Sequence, residues 1–200
     1  MKKIRTQLET FFSAMVGGKE QKETKAMMET TGVYEKFSNL DSFIFLWKNC
    51  LKKMSVRTNV DISFSRYFTF GSDLSYISKF VGNPVCSFND SESNISILLY
   101  TVKINGHHVN FELHFYDRKL FCINYTYNYL SRQERAEILY SLEQKYHVSS
   151  SEFNNHIIVD NSGNGILVEE KDKLTINYLA PNSQVKHLTE SYPHHRKHVI

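Results

Sequence analysis

FGSDLSYISKFVGNP (residues 70–84), a polar loop, and three strand-like runs that end in FCINYTYNY (residues 121–129) form the stretch whose reading decides the fold. Asp73 follows Gly71 and Ser72 and is placed to cap a helix, because its carboxylate can accept from the unpaired amides of a first turn. Leu74, Ile77, Phe80 and Val81 then recur at helical spacing and give one apolar stripe. Gly82 ends the helix, since glycine adopts the left-handed conformation found at helix C-termini. Pro84 prevents its resumption.

Beyond Pro84 the period changes from 3.6 to 2. Residues 95–104 are apolar on both faces, which predicts a strand covered on most sides. Asn105-Gly106 is a two-residue hairpin signal, because both residues tolerate positive φ. In the next strand Val109, Phe111, Leu113 and Phe115 alternate with His108, Asn110, Glu112, His114 and Tyr116. Asp117-Arg118 predicts a second tight turn. The returning strand then places Phe121, Ile123, Tyr125 and Tyr127 in one row, with Cys122, Asn124 and Thr126 opposite. The expectation is a helix followed by an antiparallel meander, with one aromatic face and one partly polar face.

Gly71, Asp73, Ile77, Val81, Gly82 and Pro84 share the spacing G-x-[ST/D]-x-x-x-[IV]-x-x-x-[LV]-G-x-P. In these positions the segment of about residues 70–129 resembles the SmpA/OmlA (BamE-like) outer-membrane assembly lipoproteins, whose helix-plus-meander module is shared with the β-lactamase inhibitor protein. The resemblance implies a non-catalytic domain that binds proteins through its sheet and loops. No lipid-acceptor cysteine stands near the start of this chain, so the membrane location and partner of those lipoproteins are not carried over.

Working outward, 200 residues suit one large domain or two small ones. A 41% hydrophobic content supports a substantial core and excludes global disorder. With 24 basic against 21 acidic residues, the net charge of +3 is too balanced for a nucleic-acid binder. Cys50, Cys86 and Cys122 are odd in number and lack metal-ligand spacing, which favours a reducing compartment. Arg5, Gln7 and Glu9 interrupt the apolar run that export would require. No run is long enough to span a membrane. A cytoplasmic protein without membrane insertion is expected.

Upstream, residues 2–16 fit an amphipathic helix carrying Ile4, Leu8, Phe11, Phe12 and Met15, and residues 19–30 are polar and helix-prone. Asn39 or Asp41 is placed to cap a stronger helix, DSFIFLWKNCLKKM (residues 41–54). Its stripe of Ile44, Trp47, Leu51 and Met54 is flanked by Phe43 and Cys50, and Trp47 reads as core rather than as a recognition anchor. Residues 60–70 alternate and read as an edge strand. Downstream, Ser131 and Glu134 form a capping box for SRQERAEILYSLEQKY (residues 131–146), with Ala136, Ile138, Leu139, Leu142 and Tyr146 as its buried face. A serine-rich turn leads to HIIVD, ILVEE and LTINYLA, a second set of three short strands. The whole predicts an α+β fold: antiparallel sheet or sheets of two three-stranded meanders, each preceded by a helix, with additional N-terminal helices. Residues 1–56 would form a helical region packed on the body, 57–182 the α+β domain and 183–200 a mobile basic tail. The likeness of DRKLFCINYT to KDKLTINYL fits a tandem helix-plus-meander repeat (70–129 and 131–180). Reuse of turn residues and β-formers accounts for it equally well.

Chemistry-bearing groups are sparse. His108, Glu112 and His114 share a strand face, but residues 108 and 114 are about 20 Å apart by strand rise, too far to share an ion. Glu112 and His114, with Cys122 across the sheet, could form a small-ligand or metal-dependent hydrolytic site. A solvent-facing polar row is the simpler account. His194, His195 and His198 are assigned no metal role. No nucleophile elbow or phosphate loop is present, and no cofactor is expected. Tyr125, Tyr127 and Tyr129 resemble a base-stacking platform, yet basic residues are few beside them and core packing explains them better. The expected function is therefore non-catalytic binding of another protein, of inhibitor or immunity type. Its surface would be the sheet face of His108, Asn110, Glu112, His114, Tyr116, Asn124 and Thr126, together with the hairpin loops. The alternative is the enzyme built on Glu112, His114 and Cys122.

Overall fold

A computed structural model describes residues 40–180, apart from 66 and 105, together with residues 186 and 190. The segments 2–16 and 19–30, Asn39, Asn105 and the tail histidines His194, His195 and His198 lie outside the described residues. Four helices and eight strands are present among the described residues: α1 (Asp41–Lys52), β1 (Ser55–Arg57), α2 (Leu74–Val81), β2 (Cys86–Asp90), β3 (Ile95–Ile104), β4 (His107–Tyr116), β5 (Lys119–Tyr127), α3 (Arg132–Tyr146), α4 (Ser150–Asn155), β6 (Ile157–Val159), β7 (Gly165–Glu170) and β8 (Leu174–Leu179). The strands form one mixed sheet in the order β1-β6-β7-β8-β5-β4-β3-β2. All pairings are antiparallel except β1 with β6.

The punctuation of α2 is as its residues dictate. The Asp73 side chain accepts from the Ser75 amide at 2.8 Å, and Gly82 closes the helix at φ +78°. Ser131 and Glu134 form the reciprocal capping box of α3. Asp117 and Arg118 both adopt positive φ (+46° and +62°), the geometry whose twist matches the strands of a two-residue hairpin.

Two apolar layers sandwich the sheet. On one face, α2, α3, α4 and segment 58–70 cover Tyr100, Phe111, Leu113, Ile123, Tyr125, Ile176 and Tyr178. On the other, Phe43, Ile44, Trp47 and Cys50 of α1 pack on Ile95, Ile97, Leu99, Phe121, Cys122, Leu167 and Leu179. The sheet therefore does not leave one whole side open.

Several expectations change. Segment 60–70 is not a strand: it crosses the sheet as a strap that buries Ile62, Phe64 and Phe68. The polar loop after Pro84 contains β2, which forms one edge of the sheet. The serine-rich turn contains α4. α1 ends at Lys52, so Met54 leaves its stripe and is 77% exposed. Its N-cap is Leu40, without a side-chain cap bond, rather than Asp41. Ala136 is exposed, while Leu139, Leu142 and Tyr146 are buried. A register shift after His114 pairs Phe115 with Leu120. As a result Phe121 packs on the α1 side beside Cys122, away from Ile123 and Tyr125. A bulge of this kind places two successive residues opposite one.

The strap is held by polar groups as well as by burial. The Ser63 carbonyl accepts from Lys145 Nζ (2.8 Å) and Tyr146 Oη (3.3 Å), and Thr58 Oγ1 donates to the Tyr146 carbonyl. Asp160, itself buried, accepts from the amides of Ile62, Ser162 and Asn164 and from Asn164 Nδ2, at 2.8–3.2 Å. Replacing Asp160 with alanine strands the buried Ile62 amide and deprives the partly buried Ser162 and Asn164 donors of their acceptor. We expect a loss of about 3 kcal/mol, read as a lower urea midpoint, with Asp160→Asn losing less because it keeps one acceptor oxygen.

Candidate functional site

The register assembles the polar side chains of the α1-side face into rows. Leu99, Glu112, Asn124, Asn177 and Leu167 lie side by side across five adjacent strands. One pleat further from α1, Thr101, Asn110, Thr126, Thr175 and Glu169 form the next row. The two rows meet different environments.

The first row and the His114–Cys122 pair beside it lie under α1. His114 is fully enclosed, and Glu112 and Asn124 are 4% and 2% exposed. Trp47 Nε1 donates to His114 Nδ1 at 3.3 Å, and His114 Nε2 lies 3.1 Å from Glu112 Oε2. Since Nδ1 accepts, the ring proton resides on Nε2 and is donated to the Glu112 carboxylate. Phe43, Trp47 and Phe121 surround the imidazole edge-on, with centroids 5.3–6.2 Å away. These contacts explain how a histidine and a glutamate sit in a core: each satisfies the other, and an indole N–H completes the set.

The expected grouping of Glu112, His114 and Cys122 is therefore real in space. His114 and Cys122 are cross-strand partners. Both are fully buried, however, and both imidazole nitrogens are engaged. A substrate has no approach to them. Burial also pushes the Cys50 thiol up to about 12 and raises that of Cys86, so neither is a thiolate at neutral pH. Among the described residues, no three His, Cys, Asp or Glu side chains are grouped to hold a metal ion.

The seven residues expected to bind a partner are thus divided. Glu112, His114 and Asn124 are covered by α1, which corrects the expectation of one continuous free face. Tyr116 is half-buried against the α1 layer. His108, Asn110 and Thr126 remain accessible. Sequence reasoning did not include Thr101, Thr175 and Glu169, which complete their row. Only the β5–β8 pairing brings Thr175 and Glu169 there, and nothing local encodes that pairing.

All five members of the second row are half-buried, and Lys103 and His108 stand exposed beyond them. Where α1 meets this row, a cleft of about 210 Å³ opens. Phe45, Leu46 and Asn49 of α1 line it on one side, with Asn124, Thr126, Glu169, Lys171 and Thr175 on the other. Thr126 Oγ1 donates to Asn124 Oδ1 (2.9 Å), and Asn124 Nδ2 donates to Asn177 Oδ1 (2.6 Å). Asn177 Nδ2, wholly buried, has no hydrogen-bond partner among the described residues.

The stacking-platform reading also meets the structure. Tyr125 is in the core and Tyr127 packs against it, while Tyr129 projects into solvent beyond the end of β5. No helix among the described residues is long and apolar enough to cross a membrane. No family model, no curated protein and no solved structure matches this chain.

Proposed function

We propose that this chain is a non-catalytic protein-binding module of inhibitor or immunity type, and that the open half of its α1-side sheet face is the contact surface. One observation carries the reading: Thr101, Asn110, Thr126, Thr175 and Glu169 form an unbroken half-exposed polar row across five strands, while Glu112, His114 and Cys122 are sealed away. A row anchored in a paired sheet is pre-organised, so a partner that docks on it loses little entropy in ordering it. The resemblance of residues 70–129 to the SmpA/OmlA lipoproteins and the β-lactamase inhibitor protein supports the same reading. We propose further that the row arose where two helix-plus-meander units (70–129 and 131–180) joined through β5 and β8.

A photo-crosslinking residue placed singly at Lys103, at His108 or at exposed Tyr140 on α3 tests this in lysate of the source cells. One protein captured in near-stoichiometric yield from positions 103 and 108, and not from 140, is the expected result. Capture from all three alike, or from none, would overturn the proposal.

A further inference from the structure

We infer that the cleft beside α1 is a receptor for an arginine side chain of the partner, an inference that rests on the protein-binding reading. The Glu169 carboxylate is half-buried in this cleft and has no hydrogen-bond or ion-pair partner among the described residues. A carboxylate partly removed from water, with no hydrogen bond or ion pair made to it, gains from a cation that docks in direct contact. Its cross-strand neighbour is Thr175, and Thr126 Oγ1 stands 3.5 Å from Thr175 Oγ1. The single proton of Thr126 is committed to Asn124 Oδ1, so Thr126 offers lone pairs to an incoming group. The wall is therefore rich in acceptors and suits a ligand rich in donors.

Shape selects among cations. Phe45, 67% exposed at the rim, presents a ring on which a planar guanidinium stacks. A guanidinium also carries five N–H donors in a fixed plane, enough to meet the carboxylate and the hydroxyls together, whereas an ammonium is a point charge. The volume of about 210 Å³ lies below that of sites for drug-sized ligands, roughly 300–1,000 Å³, and suits one side chain. Lys171, exposed at the mouth, opposes a cation and sets the direction of one test.

The probe is Nα-acetyl-arginine N-methylamide, titrated into the full chain and followed by amide chemical shifts, with the citrulline analogue as a neutral control of the same shape. Saturable shifts at Thr126, Glu169 and Thr175 are expected with the arginine probe, together with at least tenfold weaker binding of the citrulline analogue. Glu169→Gln and Phe45→Ala should each weaken binding severalfold, and Lys171→Ala should tighten it. Equal response to both analogues, or unchanged affinity in Glu169→Gln, would overturn the inference. So would tighter binding of the corresponding lysine amide. Because crosslinking at positions 103 and 108 does not depend on this cleft, its success beside a failed titration would remove the arginine site and leave the binding surface standing.

Discussion

Replacing Trp47 with alanine is expected to destabilise the protein by about 3–5 kcal/mol, a large part of the 5–15 kcal/mol typical of a domain. The indole fills the space between α1 and the sheet, with its ring centroid 5.0 Å from that of Phe121 and 5.8 Å from that of His114. Removing it opens a cavity and deprives His114 Nδ1 of its donor. Trp47→Phe separates the two effects. It keeps most of the volume and loses the N–H with part of the ring, so it should cost about 1–3 kcal/mol. Urea unfolding followed by circular dichroism reads both variants. A Trp47→Ala protein as stable as the parent would mean that α1 does not hold the polar core closed.

Stability should peak on the alkaline side, near pH 9–10, and then collapse steeply. Tyr100, Tyr125, Tyr127, Tyr146 and Tyr178 sit in or against the larger core, and burial raises the pKa of each, that of Tyr178 to about 12. A phenol whose folded pKa exceeds its unfolded value contributes fully below about pH 10, and its contribution falls as the unfolded chain ionises above that pH. Each such group lowers stability by about 1.4 kcal/mol per pH unit, so five together reach about 7 kcal/mol per unit.

Lys145 acts in the opposite sense over a lower window. Its ammonium lies 4.7 Å above the Tyr146 ring, and burial lowers its pKa to about 8. Between there and the unfolded value near 10.4 the unfolded state binds the extra proton, so stability rises with pH, by roughly 1–3 kcal/mol. Lys145→Met should remove the rise and leave the collapse. Melting temperatures measured from pH 7 to 12, with tyrosinate absorbance recorded in parallel, check both. Gradual tyrosine ionisation without loss of ellipticity would contradict the buried cluster.

The parts of this fold legible in the sequence were those whose determinants lie close together along the chain. Asp73 and Gly82 bound α2, Ser131 and Glu134 cap α3, and Asp117-Arg118 turns β4 into β5. Each rests on hydrogen bonds or positive φ within a few residues, so local reading suffices. The α+β class and the alternation of β4 follow from the same short-range patterns.

Long-range pairing decided the rest. β1 gains its place from β6, with Ser55 opposite Ile157, and Asp160 draws the Ile62 strap across the other face. The candidate site lies at the boundary between these two kinds of information. Period-2 alternation groups Asn110, Glu112, His114, Asn124 and Thr126 correctly on one side of the sheet, but alternation records only that they share a face. Which of them meets water depends on where α1 lies. Trp47 satisfies His114, and His114 satisfies Glu112, so α1 can rest on this pair without leaving either unpaired. The hydroxyl row one pleat away, and with it Glu169, stays open because α1 does not extend over it. The residue types and their alternation were the sequence's to determine, and the division between core and surface came from packing between segments far apart in the chain.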